Sequence, residues 1–176
     1  MCGKIKLNIS SETDFILRLR VPEWSKKTAL PVKARLCASY AEIDIAAGES
    51  ELEIGFDMSI RETLPEKWDL DVLYINTCGT RKPPVPVRHY DEDDNFISLS
   101  RGPITLAADS SLGKPATDNF SFKSYDYRVC EDEKYTLKLE FTAEDGEKFY
   151  LVDYQSAGKD WESEIAAWMP SSRSEQ

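Results

Sequence analysis

Apolar and polar residues alternate along much of this chain. Between Asp14 and Val21, Phe15, Leu17, Leu19 and Val21 fall on one side, and Ile16, Arg18 and Arg20 on the other. A period of two predicts a strand with one buried face. Ala41, Ile43 and Ile45 alternate in the same way with Tyr40, Glu42 and Asp44. A longer row, Leu52, Ile54, Phe56, Met58 and Ile60, stands opposite Glu53, Gly55, Asp57 and Ser59. Tyr135, Leu137, Leu139 and Phe141 form a fourth row, with Thr136, Lys138 and Glu140 outward. Shorter strands are expected at 4–8, 32–37, 70–76, 96–100, 103–108, 120–128 and 148–154. One wet face per strand predicts antiparallel sheets, because parallel strands are covered, and apolar, on both sides.

Turn signals fall between the rows. Ala47-Gly48-Glu49 separates two strands, and Asp145-Gly146 is a hairpin pair. Helical spacing is scarce: Ile165, Trp168 and Met169 fit one short turn of helix, and a last strand fits them equally. Residues 79–95 break the rhythm with Pro83, Pro84 and Pro86, then Asp91 to Asp94. Proline removes ladder donors and like charges repel, so this stretch reads as a long loop or linker between β units of roughly 1–80 and 96–152. The expected fold is all-β: two packed antiparallel β-sandwich units with little helix.

The charge balance narrows the partners. Lys and Arg total 22 and Asp and Glu total 32, a net of −10. Phosphate backbones and anionic lipid surfaces would be repelled, so neither nucleic acid nor membrane is an expected partner. No run of apolar residues is long enough to span a bilayer. Met1 to Lys6 lacks an apolar signal core, which points to a cytoplasmic form or to a piece of something longer.

Candidate chemistry is thin. Cys2, Cys37, Cys78 and Cys130 form no CxxC pair, and His89 is the sole histidine, in the polar stretch Arg88 to Asp94. Neither a zinc site nor a His-dependent nucleophile is expected, and no cofactor is called for. Asp91 to Asp94 lack the alternate spacing and turn glycine of a calcium loop. A glycosidase needs a positioned carboxylate pair, and nothing marks one out among 32 acidic residues. Trp24, Trp68, Trp161 and Trp168 could pack internally or stack on sugar rings.

Four segments resemble a known family. Phe15-Ile16-Leu17-Arg18-Leu19-Arg20-Val21-Pro22-Glu23-Trp24 is similar to the "LRLRIPxW" strand of the β-L-arabinofuranosidases, glycoside hydrolase family 127 and its relatives. Ala47 to Ile54 resembles their "xxGDxvxLxL" strand, with Phe56, Met58 and Arg61 matching the "LPMxxR" that follows. Ile97 to Ala107, containing Arg101-Gly102-Pro103, is similar to "vavxRGPlvLA". Leu151 to Tyr154 through Trp168-Met169-Pro170 resembles the closing "PYxxxg…vWl". The likeness runs in order from about residue 3 to 170, with a Pro-rich acidic loop longer than the family's.

The resemblance implies the C-terminal β-sandwich region of such an enzyme. The family's catalytic cysteine and zinc ligands belong to an upstream helical barrel, and no position here matches them. In the relatives one sandwich is inserted into the other, which implies a first unit of 1–80 plus 153–170, a loop at 81–95 and a second unit at 96–152. The implied role is a non-catalytic accessory domain that supports the barrel or mediates dimerisation. Arg20, Pro22, Trp24, Arg101, Gly102 and Pro103 are then structural: Pro22 ends a strand, Trp24 folds back onto the sheet end, Arg20 faces a carboxylate, and Gly102-Pro103 bends the chain. An independent carbohydrate-binding module and a stand-alone hydrolase are the competing roles. A severed accessory region should also expose apolar surface, with Ile16 among arginines and the two-sided 70–76 run as candidates.

Overall fold

The computed structural model describes residues 3–65, 96–159 and 161–171. The run 70–76, the loop 79–95, Cys2, Cys78, His89 and Trp68 lie outside them. Two compact units divide the chain: Met1–Arg61 with Ser100–Ile104, and Glu62–Leu99 with Thr105–Gln176. The described residues are all-β and antiparallel, with a single 3-10 turn at Ser110–Leu112.

The first unit holds two small sheets. In one, β1 (Lys4–Ser11) pairs with β5 (Gly48–Gly55) from Lys4↔Gly55 to Ser11↔Gly48. In the other, β4 (Tyr40–Ile45) is flanked by β2 (Phe15–Arg20) and β3 (Arg35–Cys37). The register sets Leu17 beside Ile43 and Leu19 beside Ala41 on the inner face. Ala41, Ile43, Ile45 and Ile54 are the buried apolar residues of this unit. On the outer face Arg18 pairs with Glu42 at 3.1 Å and Arg35 forks onto Asp44 at 2.8 and 2.9 Å. Exposed pairs of this kind add little to stability, because solvent screens them. The Ala47-Gly48 turn joins β4 to β5, which lie in different sheets. Gly48 takes φ 110° there, and the Asp14 carboxylate accepts from the Ala47 N–H at 2.7 Å.

The long row from Leu52 to Ile60 is not one strand. β5 stops at Gly55, and β6 (Ile60–Thr63) begins after four residues outside any ladder. Local bonds hold that break: Phe56 N–H donates to Gly3 O at 2.7 Å, and Asp57 N–H to Ser25 Oγ at 2.9 Å. The period of two persists in the side chains because Phe56 and Met58 still pack inward.

The second unit is built on β7 (Phe96–Arg101), β8 (Ile104–Asp109), β9 (Arg128–Cys130), β10 (Lys138–Thr142), β11 (Lys148–Asp153), β12 (Ile165–Ala166) and β13 (Met169–Pro170). Its path runs β13-β7-β8-β11-β10-β9, with β12 on β8 and β6 on β7. The Asp145-Gly146 hairpin closes β10 onto β11: Ala143 N–H donates to Glu147 O at 2.8 Å, and Gly146 takes φ 90°. Leu106, Leu139, Phe141, Leu151 and Val152 are fully buried. Phe122 sits edge-on to Phe141 and Phe149 at 5.5 and 5.1 Å, geometries that favour the ring quadrupoles.

Met169 and Pro170 pair with Ile97 and Phe96, and Ile165 and Ala166 with Asp109 and Ala108. They therefore extend the sheet of the second unit, since alternation marks a strand's faces and leaves its partner open. Ile165–Ala166 and Met169–Pro170 are two short strands with a bend at residues 167–168 between them, as the strand reading expects.

Candidate functional site

Most of the motif residues meet in the first unit. After Arg20 ends β2, Val21 N–H donates to Ser39 O at 2.7 Å and Pro22 O accepts from Ser25 N–H at 3.0 Å. That turn brings the Trp24 ring to 5.7 Å from Phe56, tilted by 52°. Gly102 and Pro103 form the two-residue turn between β7 and β8. Gly102 takes φ 57°, and a Cβ there would lie 2.6 Å from Met58 Sδ and 3.5 Å from the Trp24 ring. Glycine is thus required twice, by conformation and by space. Arg61 fastens the turn: its Nη2 donates to Gly102 O at 2.5 Å and Ser100 Oγ at 3.1 Å, and its guanidinium stands 5.9 Å from the Trp24 ring centre.

Arg61 is the one ionisable group among Trp24, Phe56, Met58, Arg61 and Gly102. The cluster holds no nucleophile and no carboxylate pair. Arg101 is buried beside it in sequence. Arg20 is exposed opposite Tyr40, while Arg18, two residues earlier, makes the carboxylate pair on that face. Pro103 is exposed in the turn.

Among the described residues, three carboxylates of the second unit are buried: Asp109, Glu140 and Asp153. Asp109 accepts from Ser111 Oγ at 2.7 Å, and from Ser111 N–H, Tyr135 Oη and Gly158 N–H, each at 3.0 Å. Burial pushes its pKa up, but the Gly158 N–H and the Ser111 hydroxyl outweigh this and hold it below the usual carboxylate range. Asp153 accepts from Leu137 N–H at 2.8 Å and Ser156 N–H at 3.0 Å. Glu140 accepts from Arg128 at 2.6 Å, Lys148 at 2.7 Å and Tyr150 Oη at 3.3 Å. Arg128 first, then Lys148, lower its pKa to about 2. A glycosidic general acid needs the opposite shift, a carboxyl held protonated near neutral pH. These groups serve as acceptors that fix strands and turns.

A depression of about 410 Å³ on β1 and β5 is lined by Asn8, Ser10, Glu49 and Glu51 among others. Its two glutamates project from alternate positions of an exposed strand face. Among the described residues no three His, Cys, Asp or Glu side chains gather as a metal site, and Cys37 and Cys130 are free thiols. No helix among them is long and apolar enough to cross a membrane.

The closing segment carries exposed aromatics. Tyr154, Trp161 and Trp168 all face solvent, as does the aliphatic Ile165, and Trp161 is 95% exposed. Trp161 also has φ 58°. Its exposure follows from tertiary placement and has no signature in the sequence. The buried carboxylates were equally hidden: Glu140 sits on the outward face of its row and reads as solvated.

An all-β chain of two antiparallel units, with Trp24, Phe56, Met58, Arg61 and Gly102 packed together in the first, is the class these observations define. Solved structures share that fold. Over 97% of this chain, a GH127 β-L-arabinofuranosidase from Geobacillus stearothermophilus T6 superposes with a TM-score of 0.61 at 17% identity. A GH127 β-arabinofuranosidase gives 0.61 at 16%, and a glycoside hydrolase 0.60 at 20%, each again over 97% of this chain. The chain spans only 29–30% of the length of those proteins. No family model and no curated protein matches the sequence.

Proposed function

We propose that this chain is a non-catalytic accessory domain of a glycoside hydrolase resembling the β-L-arabinofuranosidases, supporting a catalytic helical barrel or its oligomerisation. The observation that carries the reading is the fold match: nearly all of this chain corresponds to under a third of each GH127 structure. The chemistry agrees with it. Buried carboxylates are saturated by fixed donors, and the motif residues Trp24 and Gly102 pack against Met58, Phe56 and Arg61 away from any carboxylate pair. Arg20, Pro22, Trp24, Arg101, Gly102 and Pro103 are scaffold residues in this reading.

The purified chain should release no product from an aryl β-L-arabinofuranoside, with or without added zinc. Turnover that disappears on Asp109→Asn or Asp153→Asn substitution would overturn the proposal.

A further inference from the structure

We propose that the outer edge of β1 pairs with the same edge of a second copy of this chain, joining the two β1–β5 ribbons into one continuous antiparallel sheet. This rests on the accessory reading only in naming a surface for its oligomerisation.

The hydrogen-bond phase of β1 defines that edge. Phe56 N–H donates to Gly3 O at 2.7 Å, one step beyond the Lys4↔Gly55 pair. Bonded and non-bonded pairs alternate along an antiparallel ladder. Ile5, Leu7 and Ile9 therefore turn their N–H and C=O toward β5, and Lys6, Asn8 and Ser10 turn theirs the other way. Gly55 fixes the same phase, because it exchanges bonds with Ala29 on the far side of β5, at 2.7 and 3.0 Å. Among the described residues β1 pairs with β5 alone, and Lys6, Asn8 and Ser10 are exposed.

A row of outward N–H and C=O groups is a template for another strand. The usual guards are missing from this one. Its register runs unbroken from Lys4 to Ser11, without proline or bulge. Lysines guard an edge by repulsion, but Lys4 and Lys6 lie on Glu53 and Glu51 at 2.8 and 3.7 Å, so their charge is met within the ribbon. A two-stranded ribbon is also marginal by itself, which favours a wider sheet.

The strand is complementary to itself. Opposed residues of an antiparallel pair share a face. Self-pairing centred on Leu7 sets Lys6 against Asn8 of the second copy, and Lys4 against Ser10. Both Lys6–Asn8 pairs then exchange backbone bonds, and no like charges meet. A register centred on Lys6 would set that lysine against itself. Across the ribbon Ser10 faces Glu49 and Asn8 faces Glu51. Lys4 and Lys6 of the second copy thus stand two strand spacings, roughly 10 Å, from Glu49 and Glu51, with only Ser10 and Asn8 between. Extended lysine and glutamate side chains bridge that gap. On the opposite face Ile5, 46% exposed, comes beside Ile9 of the second copy. The two-fold axis makes each contact twice.

The test is sedimentation of the full chain at physiological salt, where the repulsion between two chains of net charge −10 is screened beyond about 8 Å. The particle should pass from 20.0 kDa to twice that mass, with a micromolar Kd. Asn8→Lys sets a lysine against Lys6 of the second copy but faces Glu51 within its own ribbon. It should raise the Kd at least about tenfold with no fall in melting temperature. Adding Lys6→Asn swaps the two residues, removes the like pair at unchanged composition, and should recover the dimer. A chain still monomeric at concentrations on the order of hundreds of micromolar would overturn the proposal, because the edge is then covered or closed to a second copy. A dimer indifferent to Asn8→Lys would overturn it too, as the mark of another face, and so would a swap that fails to recover the dimer. None of these results touches the support of a catalytic barrel, which the native polypeptide decides.

Discussion

Glu140 is 7% exposed, yet it is ionised because Arg128 reaches it from β9 and Lys148 from β11. Its pKa is about 2 in the fold against an ordinary 4.5. A lowered carboxylate pKa contributes stability that is complete above the unfolded value and fades as pH falls through the folded one. Thermal melts should therefore show a loss between pH 4.5 and pH 2 that Glu140→Gln largely removes. The variant should melt lower than the parent at neutral pH and converge with it near pH 2. Parallel curves for the two proteins would contradict this assignment. Gly102 and Gly146 allow a second comparison. Both have positive φ, but a Cβ at Gly146 meets nothing within 4 Å, whereas one at Gly102 strikes Met58. Gly146→Ala should cost about 1–2 kcal/mol from backbone strain alone. Gly102→Ala should cost clearly more in urea titrations, and equal losses would show that Met58 yields without penalty.

Asp109 ties the closing segment to the sheet. Asparagine in its place keeps one acceptor and turns an N–H₂ toward either the Ser111 N–H or the Gly158 N–H, leaving a buried donor unpaired. Asp109→Asn should cost about 1–3 kcal/mol. Amide exchange should accelerate at Gly158 and Glu164 more than at Leu139, and uniform acceleration would mean the segment opens only with the whole unit. At this scale the alternating rows were legible: β2, β4 and β11 fall within a residue or so of the expected spans. Pairing was not. The Ala47-Gly48 turn leads to another sheet, and β12 and β13 join β8 and β7. A period of two records which face is wet, while the partner depends on residues far along the chain. The 120–128 segment was expected as a strand, but β9 starts only at Arg128. Its apolar spacing reflects Phe120 and Phe122 filling the core among other rings. The motif joint was half legible: Trp24 and Gly102 stood out, but Arg61 acts on a carbonyl 41 residues away.

For the whole molecule, the balance is a core concentrated in the second unit and a thin first unit with much exposed surface. Phe141, fully buried among Phe122, Phe149 and Tyr127, should be the costlier kind of position: Phe141→Ala loses about 3–5 kcal/mol. Ile16 is 55% exposed on the outer face of its sheet, so Ile16→Ser should be nearly neutral in the isolated chain. If a parent protein covers that face, the same substitution weakens association there and not folding here.

The accessory role is tested most directly by the mass and sequence of the native polypeptide that contains this chain, recovered from its source cells with an antibody to the purified domain and read by mass spectrometry. The account predicts a polypeptide roughly three times as long, in the proportion the solved relatives show, with a helical catalytic region joined to this one. Recovery of a 20.0 kDa protein of this sequence alone would contradict it.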